Sequence, residues 1–170
     1  MGAMPTPPGP TPDDPADAAA FGRYAAALDE AVAAAIPGWV ERSVAAVLAG
    51  QGLDLTDEVR HAARRAGIDA QRDGSARVHD LLCQDVDSQV GNPLAVLRSL
   101  VRYPTEVLRA AGARPVDRDE FARRAFPDDA YDISPATFAD FDPAVAEPGL
   151  MWGAAKAHIH LARRRREGKR

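Results

Sequence analysis

The sequence predicts an all-α protein, a single compact domain of about seven to nine short helices, and three observations carry that expectation. Hydrophobic residues make up 46% of the 170-residue chain but aromatics only 6%, so the core must be built mainly from Ala, Val and Leu. Small side chains let helices approach closely, whereas sheets favour β-branched and aromatic residues. Apolar residues recur at helical spacing between Pro and Gly breaks, and no segment joins a strand-like alternation to a hairpin turn. The length fits one domain.

The elements follow in order. Met1 to Ala3 have the look of an expression scar, and Pro5 to Pro12 is too Pro-rich to fold by itself, so residues 1–13 are expected to be a disordered tail. The helical domain is expected over 14–166. Asp14 offers an N-cap and Pro15 a first helical position, opening a helix that should run to about Ile36, where Pro37-Gly38 stops it. A second helix, Trp39 to Ala49, places Trp39, Val40, Val44, Val47 and Leu48 on one side and ends at Gly50 and Gly52. Thr56 caps a third, with Asp57 and Glu58 in its first turn, where the helix dipole favours negative charge. Gly67 and Gly74 leave two readings of the next stretch, two helices or one long interrupted helix. Val78, Leu81, Leu82 and Val86 form the buried stripe of its second half.

Asn92-Pro93 starts a short helix carrying Leu94, Val96, Leu97, Leu100 and Val101. Pro104 begins another, closed by Gly112. Asp117 with Glu120 reads as a capping pair for a helix ending near Phe126-Pro127. The stretch from Pro127 to Pro148 holds six acidic residues and no basic one, yet it also contains Tyr131, Ile133, Phe138 and Phe141. It is expected to be a packed run of short turns, with helix starts at Ser134-Pro135 and Asp142-Pro143. A last helix should run from Pro148 to about Arg166, leaving 167–170 as a basic tail.

Charge is segregated along the chain. The net charge of −4 argues against a surface that binds nucleic acid all over. From Gly153 onward, however, there are seven basic residues against Glu167 alone. Lys156, His160, Arg163, Arg164, Arg165 and Arg166 are therefore candidate contacts for nucleic acid or an acidic partner. The plainer reading is that they complement the helix C-terminus and the acidic segment just upstream. Two residues apart on a helix, His158 and His160 point about 200° from one another and cannot share a metal. His158 falls on the apolar face.

Few residues have the spacing that chemistry needs. His79, Cys83 and Asp87 lie four apart and would share a helix face, so they are the candidate metal ligands, for a transition metal such as zinc. Against this, Cys83 reads as a small buried hydrophobe. Asp57 and His61 read as an i,i+4 ion pair in a capped first turn. Tyr131, Phe138, Phe141 and Trp152 are possible interface aromatics, although in an aromatic-poor chain they serve a core equally well. A nucleophile elbow, a phosphate loop and a dinucleotide fingerprint are missing, so no catalytic residue and no cofactor are expected. A single cysteine, no apolar run of about 20 residues and no signal-like N-terminus point to the cytoplasm, with no transmembrane segment.

The stretches "LVRYPTEVLRAAG", "RAFPDDAYDISPATFADFDP" and "EPGLMWGAAKAHIHLARRR" resemble small actinobacterial proteins that carry no assigned activity, over roughly residues 76–166. The excess of Arg over Lys, with abundant Ala, fits a GC-rich genome. The resemblance implies a cytosolic bacterial protein and brings no substrate, cofactor or site residue. The expected function is a non-catalytic helical module that binds another protein. A nucleic-acid accessory protein acting through the basic C-terminal cluster is the alternative, and a metal-dependent enzyme is third.

Overall fold

The computed structural model describes residues 15–83, 93–125 and 127–145, and within them every regular element is a helix. Two long helices and four short ones replace the expected row of short ones. They are α1 (Pro15–Gly50), α2 (Asp57–Cys83), α3 (Pro93–Ser99), α4 (Arg102–Ala110), α5 (Glu120–Ala125) and α6 (Phe138–Phe141). The expected tail 1–13, the last helix 148–166 and the basic end 167–170 lie outside the described residues.

The expected break at Pro37-Gly38 does not occur: α1 runs through it for 36 residues. A proline inside a helix lacks the N–H that would bond the carbonyl four residues back, here that of Ala33. Gln71 of α2 supplies the missing donor, its Nε2 donating to the Ala33 carbonyl at 2.7 Å. The approach of α2 depends on Gly67, where an added Cβ would meet Pro37 Cα at 3.0 Å and the Pro37 carbonyl oxygen at 3.2 Å. A backbone defect in one helix is thus repaired by a side chain of its neighbour. α1 then ends as expected, with Gly52 at φ +66° and the Leu53 N–H returning to the Leu48 carbonyl at 2.9 Å.

α2 settles the choice left open by its glycines in favour of one helix. Thr56 caps it, its hydroxyl oxygen accepting from the Val59 N–H at 3.3 Å. Gly74 sits where α1 and the α3–α4 turn converge, and a Cβ there would lie 2.8 Å from Ile36 Cδ1 and 2.9 Å from Leu100 Cδ1. Val78 is fully buried, as the stripe predicts, while the side chains of Leu81 and Leu82, and all of Val86, fall outside the described residues.

α3 and α4 form as expected and bury Val96, Leu97, Leu100, Val101, Val107 and Leu108. Pro104 sits within the first turn of α4 rather than opening it, and Gly112 at φ +78° follows its end. α5 begins later than the Asp117–Glu120 pair predicts, because residues 116–118 are drawn onto the 129–132 turn. The Val116 N–H bonds the Ala130 carbonyl at 2.9 Å, and Arg118 Nη2 reaches Asp129 at 3.1 Å and Asp132 at 2.6 Å.

The acidic stretch is packed, and of its two expected helix starts one is displaced. Ser134-Pro135 opens no helix, and the Ser134 N–H is bonded to the Asp129 carboxylate at 3.0 Å. The start is at Thr137, whose hydroxyl and backbone exchange bonds with Asp140 in a capping box. Asp142-Pro143 is helical as expected, from Pro143 to the last described residue, Val145, with the Asp142 carboxylate accepting from the Ala144 N–H at 2.8 Å.

Two apolar clusters result. One gathers Val32, Ile36, Trp39, Val40, Val78, Leu97, Leu100, Phe141 and Val145, with the Trp39 and Phe141 rings 5.0 Å apart. The other gathers Val44, Leu48, Ala63, Val107, Leu108 and Tyr131. The stretch Asp29–Gly50 is long and apolar enough to cross a membrane by length and composition alone, contrary to the sequence expectation. In this fold it supplies its largest apolar side chains to both clusters instead.

Candidate functional site

Several buried or half-buried polar side chains in the described residues serve the backbone. Asp129 is 4% exposed and accepts from the Ile133 N–H at 2.7 Å, the Ser134 N–H at 3.0 Å and Arg118. Thr105 donates to the Asp128 carbonyl at 3.0 Å, and Arg98 Nε to the Pro135 carbonyl at 2.9 Å. Arg42 holds Asp142 at 2.7 Å and the Phe141 carbonyl at 3.3 Å. These groups clamp the late segment onto α1, α3 and α4.

The aromatic candidates divide. Tyr131 and Phe141 are buried and Phe138 packs partly against the core, so Tyr131 and Phe141 line no partner groove, while Trp152 lies outside the described residues. Lys156, His160 and Arg163 to Arg166 lie outside as well.

The metal candidates do not assemble among the described residues. His79 lies on α2 with Nδ1 3.2 Å from Asp29 Oδ2 of α1. Cys83 ends α2 without a described side chain, and Asp87 falls outside. No group of three His, Cys, Asp or Glu side chains is placed to hold a metal among the described residues. The expected Asp57–His61 ion pair is replaced by a contact from His61 Nδ1 to the Asp57 backbone carbonyl at 2.7 Å.

Ionisable groups from separate elements do meet at one exposed patch. Asp73 receives Arg102 at 2.7 Å and Arg77 at 3.9 Å, with Arg77 also donating to the Ser99 hydroxyl at 2.7 Å. The Arg102 guanidinium is held above its ordinary range, first by its hydrogen bond to the Tyr103 hydroxyl and then by nearby negative charge. The patch is an electrostatic tie between α2, α3 and α4.

Two of the cavities and one projection matter here. The first cavity, about 290 Å³, lies between α3 and the 127–134 segment, lined by Arg98, Ser99, Asp128, Asp129 and Ser134. The Ser134 hydroxyl there is buried and unpartnered. The cavity is at the lower edge of what a small-molecule site needs, and Arg98 is committed to backbone carbonyls. The second is an open cleft of about 500 Å³ between the N-terminal half of α1 and the C-terminal half of α2. Ala26, Ala33 and Ala76 line it with Asp29, Glu30, His79 and Asp80.

The projection is the segment 113–125. Gln51 pins its base, accepting from the Arg114 N–H at 2.8 Å and donating to the Arg114 carbonyl at 2.7 Å. Arg118 fixes its middle on Asp129, and the segment exposes Val116, Phe121, Arg123 and Arg124. Phe121 is 82% exposed. Sequence reasoning passed over it, although the signal was legible: Asp117, Arg118 and Arg124 occupy three of the four helical neighbours that would make an apolar stripe.

No protein-family model, no curated protein and no solved structure matches the chain.

Proposed function

We propose that this protein is a non-catalytic helical module of the bacterial cytosol that binds another protein through the projecting segment 113–125, with Phe121 as its anchor. The observation that carries the reading is a large aromatic ring left 82% in water on a segment tied down just before it, at Arg114 and Arg118. Exposed aromatics on a fixed frame contribute contact area at little entropic cost when a partner offers a pocket. Arg123 and Arg124 beside it favour a partner with an acidic rim.

The test compares the full chain with its Phe121→Asp variant as bait, in cells and after cross-linking. The same far-UV spectrum and melting temperature are expected for both, since the ring supports no core. A stoichiometric partner retained by the wild type and lost by the variant is the expected result. Equal capture by both, or by neither, overturns the proposal.

The alternative, nucleic-acid binding through Lys156, His160 and Arg163 to Arg166, is favoured by the concentration of cations after Gly153. Its mark is an affinity that falls steeply with salt and vanishes on truncation after Leu161.

A further inference from the structure

We propose that the open α1–α2 cleft is the seat of this chain's own C-terminal segment, residues 146–170. Its apolar line would pack on Ala26, Ala33 and Ala76, and its cations would meet Asp29, Glu30 and Asp80. The cleft has a floor of alanines and a rim of three carboxylates drawn from both helices. Glu30 and Asp80 have no cation paired with them among the described residues. The arginine nearest Asp80 along α2, Arg77, is turned to Asp73 at 3.9 Å and to the Ser99 hydroxyl at 2.7 Å. A groove that is apolar at its base and negative at its edges fits a segment that is apolar along one line and positive beside it.

The sequence supplies that complement. At about 100° per residue, Leu150, Ala154, Ala157 and Leu161 fall on one line. Arg164 and Arg165, three and four residues after Leu161, flank it. Small residues on both sides permit close approach, as they do where Gly67 meets Pro37.

Connectivity fits too. The described chain ends at Val145, buried in the cluster that also holds Val32 and Val78. Those two residues are sequence neighbours of the cleft residues Ala33 and His79. At roughly 3.3 Å per extended residue, a link of a few residues rounds one helix.

The distribution of lysine makes the test direct. Lys156 and Lys169 are the only lysines in the chain and both lie in the segment proposed to dock. A zero-length carbodiimide reagent joins a carboxylate to an amine in contact with it. In full-length protein the expected product links Lys169 to Asp29, Glu30 or Asp80 within one chain, Lys156 facing away from the apolar line. The experiment is run on a mixture of isotopically light and heavy protein. Mixed-isotope links to these carboxylates would show that a second copy fills the cleft. Links confined to Asp128–Asp142 would place the segment on the acidic stretch. Either result overturns the proposal, as does the absence of any lysine link.

A second readout uses the variant Asp29→Asn/Glu30→Gln/Asp80→Asn. Trypsin cleavage after Arg163 to Arg166 should be about tenfold slower in the wild type than in this variant, because cleavage tracks the undocked population. Equal rates would sink the inference. Nucleic acid that binds the wild type and the variant equally would show the cations free in both, with the same consequence.

Discussion

The crossing at Pro37 and the segment 127–142 both contain backbone that cannot satisfy itself, and they solve the problem at different scales. At Pro37 a single carbonyl is orphaned within an otherwise regular helix, and a single side chain, Gln71, answers it. In the late segment ladder bonds are sparse, and several side chains act in their place: Asp129 for two N–H groups, Thr105 for one carbonyl and Arg98 for two. The difference teaches that this protein uses long-range side chains to complete its backbone more than to build a reactive centre. Removing such a side chain should hurt in proportion to how many backbone groups depend on it.

The largest effect is therefore expected at Asp129. Asp129→Ala strands Arg118 and two backbone N–H groups and should cost about 3 kcal/mol, the low end for a broken buried pair because Asp132 still reaches Arg118. Urea unfolding measures the loss, and amide exchange should show residues 129–134 opening first. Retained protection there would mean that the segment holds itself.

Next comes the proline crossing. Gln71→Leu leaves the Ala33 carbonyl without its donor and should cost about 1–3 kcal/mol. Pro37→Ala in the same chain returns the backbone N–H and should recover most of it. Independent, additive effects of the two substitutions would break the claimed coupling.

Gly67→Ala sharpens the same crossing. Overpacking against the Pro37 backbone of roughly 1–3 kcal/mol is opposed by about 1 kcal/mol of helix propensity, so a net loss of up to about 2 kcal/mol is expected. Gly74→Ala should cost less, since its Cβ would meet only the flexible ends of Ile36 and Leu100. A reversed order in melting temperature would show that backbone contact is not what makes Gly67 necessary. The smallest effect is at Thr137→Ala, where loss of one cap should cost about 1 kcal/mol and fray only α6.

Much of the helical reading was legible because its causes are local. Thr56 caps where a hydroxyl precedes two acids, Gly52 and Gly112 turn where a left-handed residue is needed, and Val96, Leu97, Leu100 and Val101 are buried as their spacing requires. The errors share one origin. Pro37 read as a stop because its cure lies 34 residues away, and Ser134-Pro135 read as a helix start although Asp129 holds the Ile133 and Ser134 backbone in a turn. The site fared less well. Tyr131 and Phe141 proved to be core, while Phe121, whose charged flanks already marked it as exposed, went unremarked.

By itself the sequence determined that this chain makes helices, where several of them begin and end, and that its core is small-residue and aliphatic. Those properties rest on bonds within a turn or two of the backbone and on a period of 3.6 residues. Only the tertiary structure decided that one long helix replaces the two expected on either side of Pro37, that the stretch after Thr56 is a single helix, and which aromatic ring stays in water. These outcomes turn on a distant side chain or backbone group arriving within hydrogen-bonding or van der Waals distance, and a local pattern carries no information about that arrival.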